Sequence, residues 1–335
     1  MDKLLIITDS WDPKIDGIVT TLKKTKEILE GKGLKVIIIH PELFTAIPLF
    51  FYPEIKLSLF SSKKIRKIIR TEKPDYIHIA TEGPLGISAR SICVKNKIPF
   101  TTAYHTHFPL YAKVRIKFLY HIVYSYLRWF HKKAAATIVS SESLRRELMD
   151  HKFKNLLVVP FGVDLDLFVR NKETKVPKLP GPVFVYFGRI AIEKNLEVFL
   201  SCKFPGTKLI IGDGPDRNML ENKYGGNNLF VGYKNGKNLV DYLSICDVLV
   251  FPSLTETFGL VILEAFSCGI PVAAYDVMGP KDLITHGVDG YLGNDLLDSA
   301  LKCLDLSPLD CRKKASSYSW EAYADSFIKN QVKIN

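Results

Sequence analysis

The sequence has few cysteines, no long apolar run and no dinucleotide-binding glycine motif, and each absence narrows the range of functions. None of the six cysteines in 335 residues forms a Cys-x-x-Cys pair, which favours reduced thiols in a cytoplasmic protein over a disulfide scaffold. The first apolar run is too short for a signal peptide, and no stretch approaches about 18 apolar residues, so we expect no spanning helix. The missing Gly-x-Gly-x-x-Gly motif argues against a dehydrogenase.

Basic residues are concentrated in the first half of the chain. Residues 1–160 carry 27 Lys and Arg against 14 Asp and Glu, a net charge of +13, whereas residues 161–335 carry 19 against 21, a net charge of −2. Residues 113–133 combine cations with aromatic rings, which suits a helix at an anionic membrane surface or, alternatively, a core helix with solvated ends. A second cluster of bases comprises Lys63, Lys64, Arg66, Lys67, Arg70 and Lys73.

Short β-branched runs alternate with helical patterns along the whole chain. Strands are predicted at 4–7, 36–39, 76–79, 99–102, 137–139, 157–159, 183–186, 208–211, 248–251 and 271–274. This alternation indicates parallel sheets that are covered by helices. Because residues 162–182 are rich in Asp, Lys, Pro and Gly and lack an apolar period, they suit a linker. The sequence therefore predicts an α/β protein with two Rossmann-like domains and a cleft between them.

Two carboxylates, Glu256 and Glu264, bracket the start of an apolar helix that follows a predicted buried strand. Ligands of open α/β sheets bind at the carboxyl ends of the strands. Eight residues at a helical rise would separate the carboxylates by roughly 12 Å, about the distance from the hexose to the ribose of a nucleotide sugar. In the alternative interpretation, Glu256 only caps the helix and Glu264 is solvated. The loop amides expected to face the ligand belong to Thr257, Phe258, Gly259 and Leu260.

The first strand of the second half ends in a turn that could bind a diphosphate. Gly188 is followed by two cations, Arg189 and Lys194. Arginine offers phosphate oxygens a planar fork and lysine a mobile point charge, although two surface cations beside a turn are the simpler alternative. After the next strand, Asp213 and Gly214 form a turn at which a ligand could approach the backbone, but most such turns bind nothing.

Candidate residues of the first half are less distinctive. Gly17 begins the first helix, where backbone amides could contact a phosphate, and His105 directly follows a strand. His105 and His107 could form a metal pair, but no cysteine or carboxylate lies nearby at ligand spacing. Asp164 and Asp166 resemble a metal-binding Asp-x-Asp motif, yet they fall in the linker, where a turn is the better interpretation. We therefore expect no metal site.

In order and spacing, these motifs resemble the GT-B-fold retaining glycosyltransferases of family 4 over nearly the whole chain. The resemblance rests on residues 160–164, 188–195, 212–215, 246–248 and the Glu256 to Glu264 segment. Within the family, residues 104–106, 126–131 and 277–282 are most similar to bacterial GDP-mannose-dependent α-mannosyltransferases and glycolipid synthases.

The resemblance implies two Rossmann-like domains whose parallel sheets face a central cleft. The first would span 1–162, the linker 163–182 and the nucleotide-sugar-binding domain 183–315, and the segment 316–335 would form a helix that crosses back to the first domain. From that first domain, His105 would contact the transferred hexose, and Gly17 would lie against the phosphates.

Residues of the second domain receive the other implied roles. Arg189 and Lys194 would hold the diphosphate and stabilise the leaving group, with Gly188, Asp213 and Gly214 in the turns beside them. The ribose hydroxyls would bind Glu264. The hexose would bind Glu256 and the amides of Thr257, Phe258, Gly259 and Leu260. The implied catalytic residues are His105, Arg189, Lys194 and Glu256.

The implied function is retaining, metal-independent transfer of a hexose, first of all mannose from GDP-mannose, to a lipid or glycan acceptor, without a cofactor. The enzyme would be cytoplasmic and peripheral on the inner face of the cell membrane, where the basic first half would contact anionic lipid. We expect no nucleic-acid partner. Three alternatives stay open: a UDP-glucose-type donor with a diacylglycerol-like acceptor, a nucleotide-sugar epimerase, and a non-catalytic basic protein that binds membranes or nucleic acid.

Overall fold

The computed structural model describes residues 1–12, 17–49, 52–58, 61–105 and 119–334. These residues divide into two compact units: the first comprises Met1–Phe161 with Trp320–Asn335, and the second comprises Gly162–Ser319. The chain thus leaves the first unit once and returns to it for its last helix. Residues 163–182, which the sequence assigns to a linker, belong to the second unit.

The first unit is built on a six-stranded parallel sheet. In chain order its elements are β1 (Lys3–Ile7), α1 (Gly17–Gly31), β2 (Lys35–Ile39), β3 (Ala46–Leu49), β4 (Tyr52–Ser58), α2 (Ser61–Glu72), β5 (Tyr76–Ile79), α3 (Pro84–Lys95), β6 (Thr101–Tyr104), α4 (Leu119–His131), β7 (Ala136–Val139), α5 (Glu142–Asp150) and β8 (Leu156–Val158). The strand order is β2-β1-β5-β6-β7-β8, and β3 and β4 form a separate antiparallel pair. The winding direction therefore changes between β1 and β5.

The second unit repeats this architecture. Its elements are β9 (Val183–Phe187), α6 (Leu196–Ser201), β10 (Thr207–Ile211), α7 (Arg217–Tyr224), β11 (Leu229–Phe230), α8 (Gly236–Leu243), β12 (Val248–Phe251), α9 (Leu260–Ser267), β13 (Val272–Ala274), α10 (Pro280–Leu283), β14 (Gly290–Leu292), α11 (Leu296–Cys303) and α12 (Pro308–Ser316). The order β11-β10-β9-β12-β13-β14 is entirely parallel and places its switch point between β9 and β12. The last helix, α13 (Trp320–Lys329), packs against α1 in the first unit.

Continuous apolar strands explain why both sheets form. Every residue of β9 and β12 is buried, as are four of the five residues of β1. Parallel strands that are covered on both faces require such runs, whereas strands with one solvated face would alternate. The predicted α/β class with two parallel sheets is thus confirmed.

Two details of the first unit differ from the sequence-based expectation or lie beyond its reach. Strand β6 covers Thr101–Tyr104 instead of residues 99–102, so His105 is the first residue after the strand. Residues 113–118 of the basic aromatic segment lie outside the described residues. The rest of that segment, α4, buries Tyr124 and Phe130, whereas Trp129 keeps 47% of its surface exposed. Within the described ranges, no helix is both long and apolar enough to cross a membrane.

Candidate functional site

The loops that follow β9 and β10 are bonded to each other through their backbones. The amide of Gly188 donates to the carbonyl of Ile211 at 3.0 Å, and the amide of Ile190 donates to the carbonyl of Asp213 at 2.8 Å. These bonds fix the loop after β9 at the switch point of the second sheet. A switch point is where open α/β sheets bind their ligands.

Close packing between these loops accounts for two glycines, Gly212 and the predicted Gly214. A Cβ atom at Gly212 would lie 1.9 Å from the carbonyl oxygen of Gly188, and one at Gly214 would lie 2.1 Å from that of Ile190. Neither backbone atom can move away without breaking the loop contacts, so only glycine fits. The sequence analysis assigned Gly214 to the approach of a ligand, but contact with the neighbouring loop already requires a glycine there.

A lysine and a glutamate meet where β9 and β12 end. The Nζ atom of Lys194 contacts Oε1 of Glu256, and the side chains keep 22% and 14% of their surfaces exposed. Lys194 closes a short 3-10 turn, Ile192–Lys194, whereas Glu256 lies in the loop between β12 and α9. The structure therefore brings together two residues that the sequence analysis assigned to different parts of one ligand.

Three further hydrogen bonds hold the lysine turn against the glutamate loop. The side-chain amide of Asn195 donates to the carbonyl of Pro252 at 3.1 Å, and the Thr255 hydroxyl donates to the carbonyl of Glu193 at 3.2 Å. The Ser253 hydroxyl donates to the same carbonyl of Glu193 at 3.4 Å. Hydrogen bonds to backbone carbonyls thus hold together the two segments that carry the ion pair.

The glutamate loop ends at a glycine with a left-handed backbone. Gly259 has a φ of +97°, which β-carbon-bearing residues rarely adopt, and α9 begins at the next residue, Leu260. The separation of roughly 12 Å assumed that the whole segment from Glu256 to Glu264 is helical. This assumption is wrong, because the helix begins only at Leu260. The loop amides of Thr257 and Phe258 lie ahead of the helix, and the side chain of Phe258 is buried.

Glu264 lies inside the first two turns of α9, and its carboxyl group is in an unfavourable place for a charge. Burial raises the pKa of Glu264 from 4.5 to about 7, although part of the residue surface remains open. Among the described residues, no side chain pairs or hydrogen-bonds with this carboxylate. A partly open carboxyl group of this kind can bind ligand hydroxyls, which would replace the missing hydrogen bonds.

The other predicted residues of the second unit are more exposed. Arg189 lies on the surface, and its carbonyl accepts a 2.6 Å hydrogen bond from the hydroxyl of the buried Tyr186. Asp213 is exposed and pairs at 3.3 Å with Arg217, which also contacts Glu221 at 3.2 Å. The structure thus ties the Asp213 side chain to the helix α7 and not to the Lys194 and Glu256 pair.

Predicted residues of the first unit lie at the carboxyl ends of its strands. Gly17 is the exposed first residue of α1, and residues 13–16 before it are outside the described ranges. His105 is half-buried and stacks on the ring of Phe161 with centroids 5.7 Å apart. His107, the second residue of the considered metal pair, is also outside the described ranges. In the linker, Asp164 accepts the amide of Leu167 at 2.9 Å, which is a turn contact.

Sequence reasoning missed Gly279, which supports the glutamate loop from a distant part of the chain. A Cβ atom at Gly279 would lie 2.9 Å from Cβ of Glu256 and 3.1 Å from the carbonyl oxygen of Phe258. The only local signal is the sequence Gly279-Pro280, a typical helix start, and α10 does begin there. Its contact with Glu256 spans more than twenty residues and has no local pattern.

Two protein-family models match the sequence of this chain. The model described as Glycosyltransferase Family 4 matches residues 10–167, and the model described as Glycosyl transferases group 1 matches residues 169–302. The chain belongs to these glycosyltransferases, with a family 4 domain followed by a group 1 domain. The predicted family and the enzyme class, a hexosyltransferase, are confirmed.

Similar curated proteins carry several names. A sulfoquinovosyl transferase of Arabidopsis thaliana is 31% identical over 85% of this chain, which spans 62% of that protein's length. A GDP-mannose-dependent alpha-mannosyltransferase of Mycobacterium tuberculosis is 25% identical, with 87% of this chain and 83% of that protein covered. An alpha-monoglucosyldiacylglycerol synthase of Streptococcus pneumoniae is 26% identical, with 97% and 83% covered.

Solved structures share the fold over the full chain. A sucrose-phosphate synthase from Thermosynechococcus elongatus gives a TM-score of 0.80 at 20% identity, with 98% of both chains covered. The Anabaena protein HepE, solved with UDP and glucose, gives a TM-score of 0.70 at 16% identity, with 98% of this chain and 99% of that chain covered. At these identities the likeness shows the GT-B fold.

The raised pKa of Glu264 predicts a pH-dependent gain in stability for Glu264→Gln. Between about pH 4.5 and pH 7 the unfolded glutamate ionises while the folded one stays protonated, so the wild-type protein loses stability as pH rises and the variant does not. The variant should gain about 3 kcal/mol relative to wild type between pH 4.5 and pH 8, measured by urea unfolding without ligand. The exposed Glu173→Gln serves as the control. A gain that does not depend on pH would contradict the buried-carboxyl explanation.

Proposed function

We propose that this protein transfers a hexose from a nucleotide-diphospho sugar to a lipid or glycan acceptor, with retention of the α configuration and without a metal. The observation that carries the proposal is the contact between Lys194 and Glu256 at the switch point of the second sheet. It joins a cation suited to a diphosphate and a carboxylate suited to sugar hydroxyls at the edge where nucleotides bind in such folds.

The pair gives each residue a distinct part in the reaction. Without a donor, Lys194 and Glu256 neutralise each other. When a diphosphate is bound, Lys194 and the nearby Arg189 would stabilise the negative charge that grows on the leaving group. Glu256 would then accept hydrogen bonds from hydroxyls of the hexose, together with the loop amides of residues 257–260. The acceptor hydroxyl would approach the anomeric carbon from the face that the diphosphate leaves.

Three residues complete the proposed donor site. Glu264 would bind the ribose diol, since its carboxyl group is partly open and has no partner among the described side chains. His105 of the first unit is proposed to contact the hexose near the reacting carbon. Gly17 at the start of α1 is proposed to lie against the phosphates.

GDP-mannose is the proposed donor. It is supported by the similarity to GDP-mannose-dependent alpha-mannosyltransferases from three bacteria, each covering 87% of this chain. A UDP-glucose-type donor with a diacylglycerol-like acceptor is the second candidate. It is favoured by the two alpha-monoglucosyldiacylglycerol synthases, whose alignments cover 97% and 98% of this chain.

A membrane surface is the proposed location of the acceptor, and helix α2 is the proposed contact. Four of its exposed cations, all except Lys64, line a shallow open depression together with Thr71. Among the described residues, none of these cations is within ion-pair distance of a carboxylate. An unneutralised basic stripe of this kind attracts anionic lipid headgroups. The stripe consists of Lys63, Lys64, Arg66, Lys67 and Arg70.

A panel of nucleotide sugars tests the donor and the acceptor together. Purified protein is incubated with each sugar and a total lipid extract, with and without EDTA, and the products are weighed by mass spectrometry. We expect a mannosylated lipid from GDP-mannose, unaffected by EDTA. A glucosylated diacylglycerol from UDP-glucose would favour the second candidate. Activity that EDTA removes and manganese restores would contradict the metal-free mechanism, and consumption of donor without an acceptor would favour an epimerase.

Lys194→Ala should remove turnover and leave the fold intact. Loss of one charge that stabilises the transition state typically costs about 100-fold or more in kcat. The matched control is Lys223→Ala, which removes an exposed lysine of the same unit that pairs with Glu197. Lys223→Ala should unfold at the wild-type temperature, whereas Lys194→Ala should unfold a few degrees lower, because Glu256 loses its partner. Near-normal turnover in the first variant would end the assignment of Lys194 to the leaving group.

Membrane binding should depend on the charge of α2. Sedimentation with anionic vesicles, but not with vesicles of neutral lipid, is expected for the wild-type protein. Since each cation near an anionic surface contributes on the order of 1 kcal/mol, changing Lys63, Arg66, Lys67 and Arg70 to Gln should weaken binding by at least about tenfold. The control changes four exposed lysines of the second unit, Lys172, Lys175, Lys178 and Lys313, to Gln. Equal binding to both kinds of vesicle would exclude the electrostatic contact.

A further inference from the structure

The imidazole of His105 lies at one end of a series of aromatic contacts within the first unit. Its ring and that of Phe161 stack at 5.7 Å with an angle of 29° between the planes. The ring centroids of Phe161 and Tyr323 are 5.6 Å apart, and Tyr323 stacks on Phe327 with centroids 5.9 Å apart. Phe327 then meets His78 edge-on at 4.9 Å. These five residues are called the aromatic ladder below.

The inner part of the aromatic ladder is rigidly held. Phe161, Tyr323 and Phe327 are 9%, 3% and 1% exposed, so neighbouring side chains leave little room for other rotamers. At its far end, Nδ1 of His78 lies 2.9 Å from the hydroxyl oxygen of Thr101. Burial lowers the pKa of His78 to about 3, so this ring stays neutral at physiological pH. The ladder thus ends in a fixed and uncharged group.

The two faces of β6 pack against different side chains. Thr102 and Tyr104 belong to one face, where Oγ1 of Thr102 lies 2.9 Å from Nδ1 of His131 and Tyr104 meets Phe153 at 6.2 Å. His105 belongs to the other face, with Phe161. Phe153 and Phe161 are therefore two buried phenylalanines on opposite faces of the same strand end, and Phe161 is stacked on His105.

We propose that Phe161 is a positioning residue that sets the orientation of the His105 imidazole through the aromatic ladder. The inference rests on the proposed function, in which His105 contacts the hexose near the reacting carbon. His105 is half-buried, and its ring is held on one face by the stacked ring of Phe161. Misplacing a catalytic group by about 1 Å can cost roughly 100-fold in rate, so a fixed ring has a direct effect on turnover.

Phe161 also occupies a special place in the chain. It is the last residue of the first unit before the chain enters the second, and its ladder partners Tyr323 and Phe327 belong to the segment that returns. The ring that holds His105 is therefore supported by the two segments at which the chain passes between units.

Proton NMR tests the stacking without any substrate. A phenylalanine ring stacked on an imidazole shifts the imidazole C–H protons upfield, and His105→Ala identifies the resonance. Phe161→Leu removes the ring but keeps an apolar side chain, so the shift should disappear. It should persist in Phe161→Tyr, which keeps the ring, and in the matched control Phe153→Leu. An upfield shift that survives in Phe161→Leu would overturn the proposal.

Kinetics test whether the stacking matters for catalysis. Phe161→Leu should lower kcat by about tenfold with little change in donor KM, and Phe161→Tyr should restore it. Phe153→Leu should lower the unfolding temperature by a similar amount and change kcat less than about twofold. Equal kcat losses in the two leucine variants would mean a purely structural role and would overturn the proposal.

A double-mutant cycle shows whether Phe161 acts through His105. In a His105→Ala background, Phe161→Leu should lower kcat by less than about a further twofold, because the group it positions is gone. Independent, multiplicative losses would overturn the proposal. A wild-type kcat in His105→Ala would instead contradict the proposed role of His105 in the reaction, and this failure is distinguishable because the NMR result does not depend on activity.

Discussion

The rest of the candidate site depends on one contact, the pairing of Lys194 with Glu256 across the switch point of the second sheet. Both charged side chains are largely buried, and a buried ion without a partner destabilises the folded protein. Each therefore needs either the other or a ligand of the right charge and hydroxyl pattern. The glycine-rich loops and the hydrogen bonds from Asn195 and Thr255 keep Lys194 and Glu256 in contact. A nucleotide-diphospho sugar carries both kinds of group: anionic phosphates, which suit Lys194, and sugar hydroxyls, which suit Glu256.

Local sequence patterns were sufficient to predict ten of the twelve strands that the described residues form in the two parallel sheets. Every one of the ten predicted strands overlaps an observed strand, because parallel strands with two covered faces need continuous apolar runs. The hairpin of β3 and β4 was missed, since Pro48 and Pro53 interrupt its pattern. The two-residue β11 is too short to produce a pattern, and the three-residue β14 contains no β-branched residue. β6 was shifted by two residues because Phe100 extends the apolar run ahead of the paired positions.

Side-chain chemistry near the sheet edge was predictable, whereas its spatial arrangement was not. The strand ends identified Lys194, Glu256 and His105 as edge residues, because every strand of a parallel sheet points its carboxyl end the same way. The pairing of Lys194 with Glu256 and the support from Gly279 join segments that are far apart in the chain. No local period encodes such contacts. The packing role of Gly214 was likewise hidden, because a turn signal looks the same whether a ligand or a neighbouring loop lies opposite.

The division of the chain has a consequence for how the protein is made. The first unit is not continuous in sequence, since it needs the helix at Trp320–Lys329 to cover α1 and to support Phe161. During synthesis the second unit emerges complete before this helix leaves the ribosome, and domains generally fold as they appear. The first unit is therefore translated first but finishes folding last. Part of its apolar surface stays uncovered until the helix Trp320–Lys329 has been synthesised.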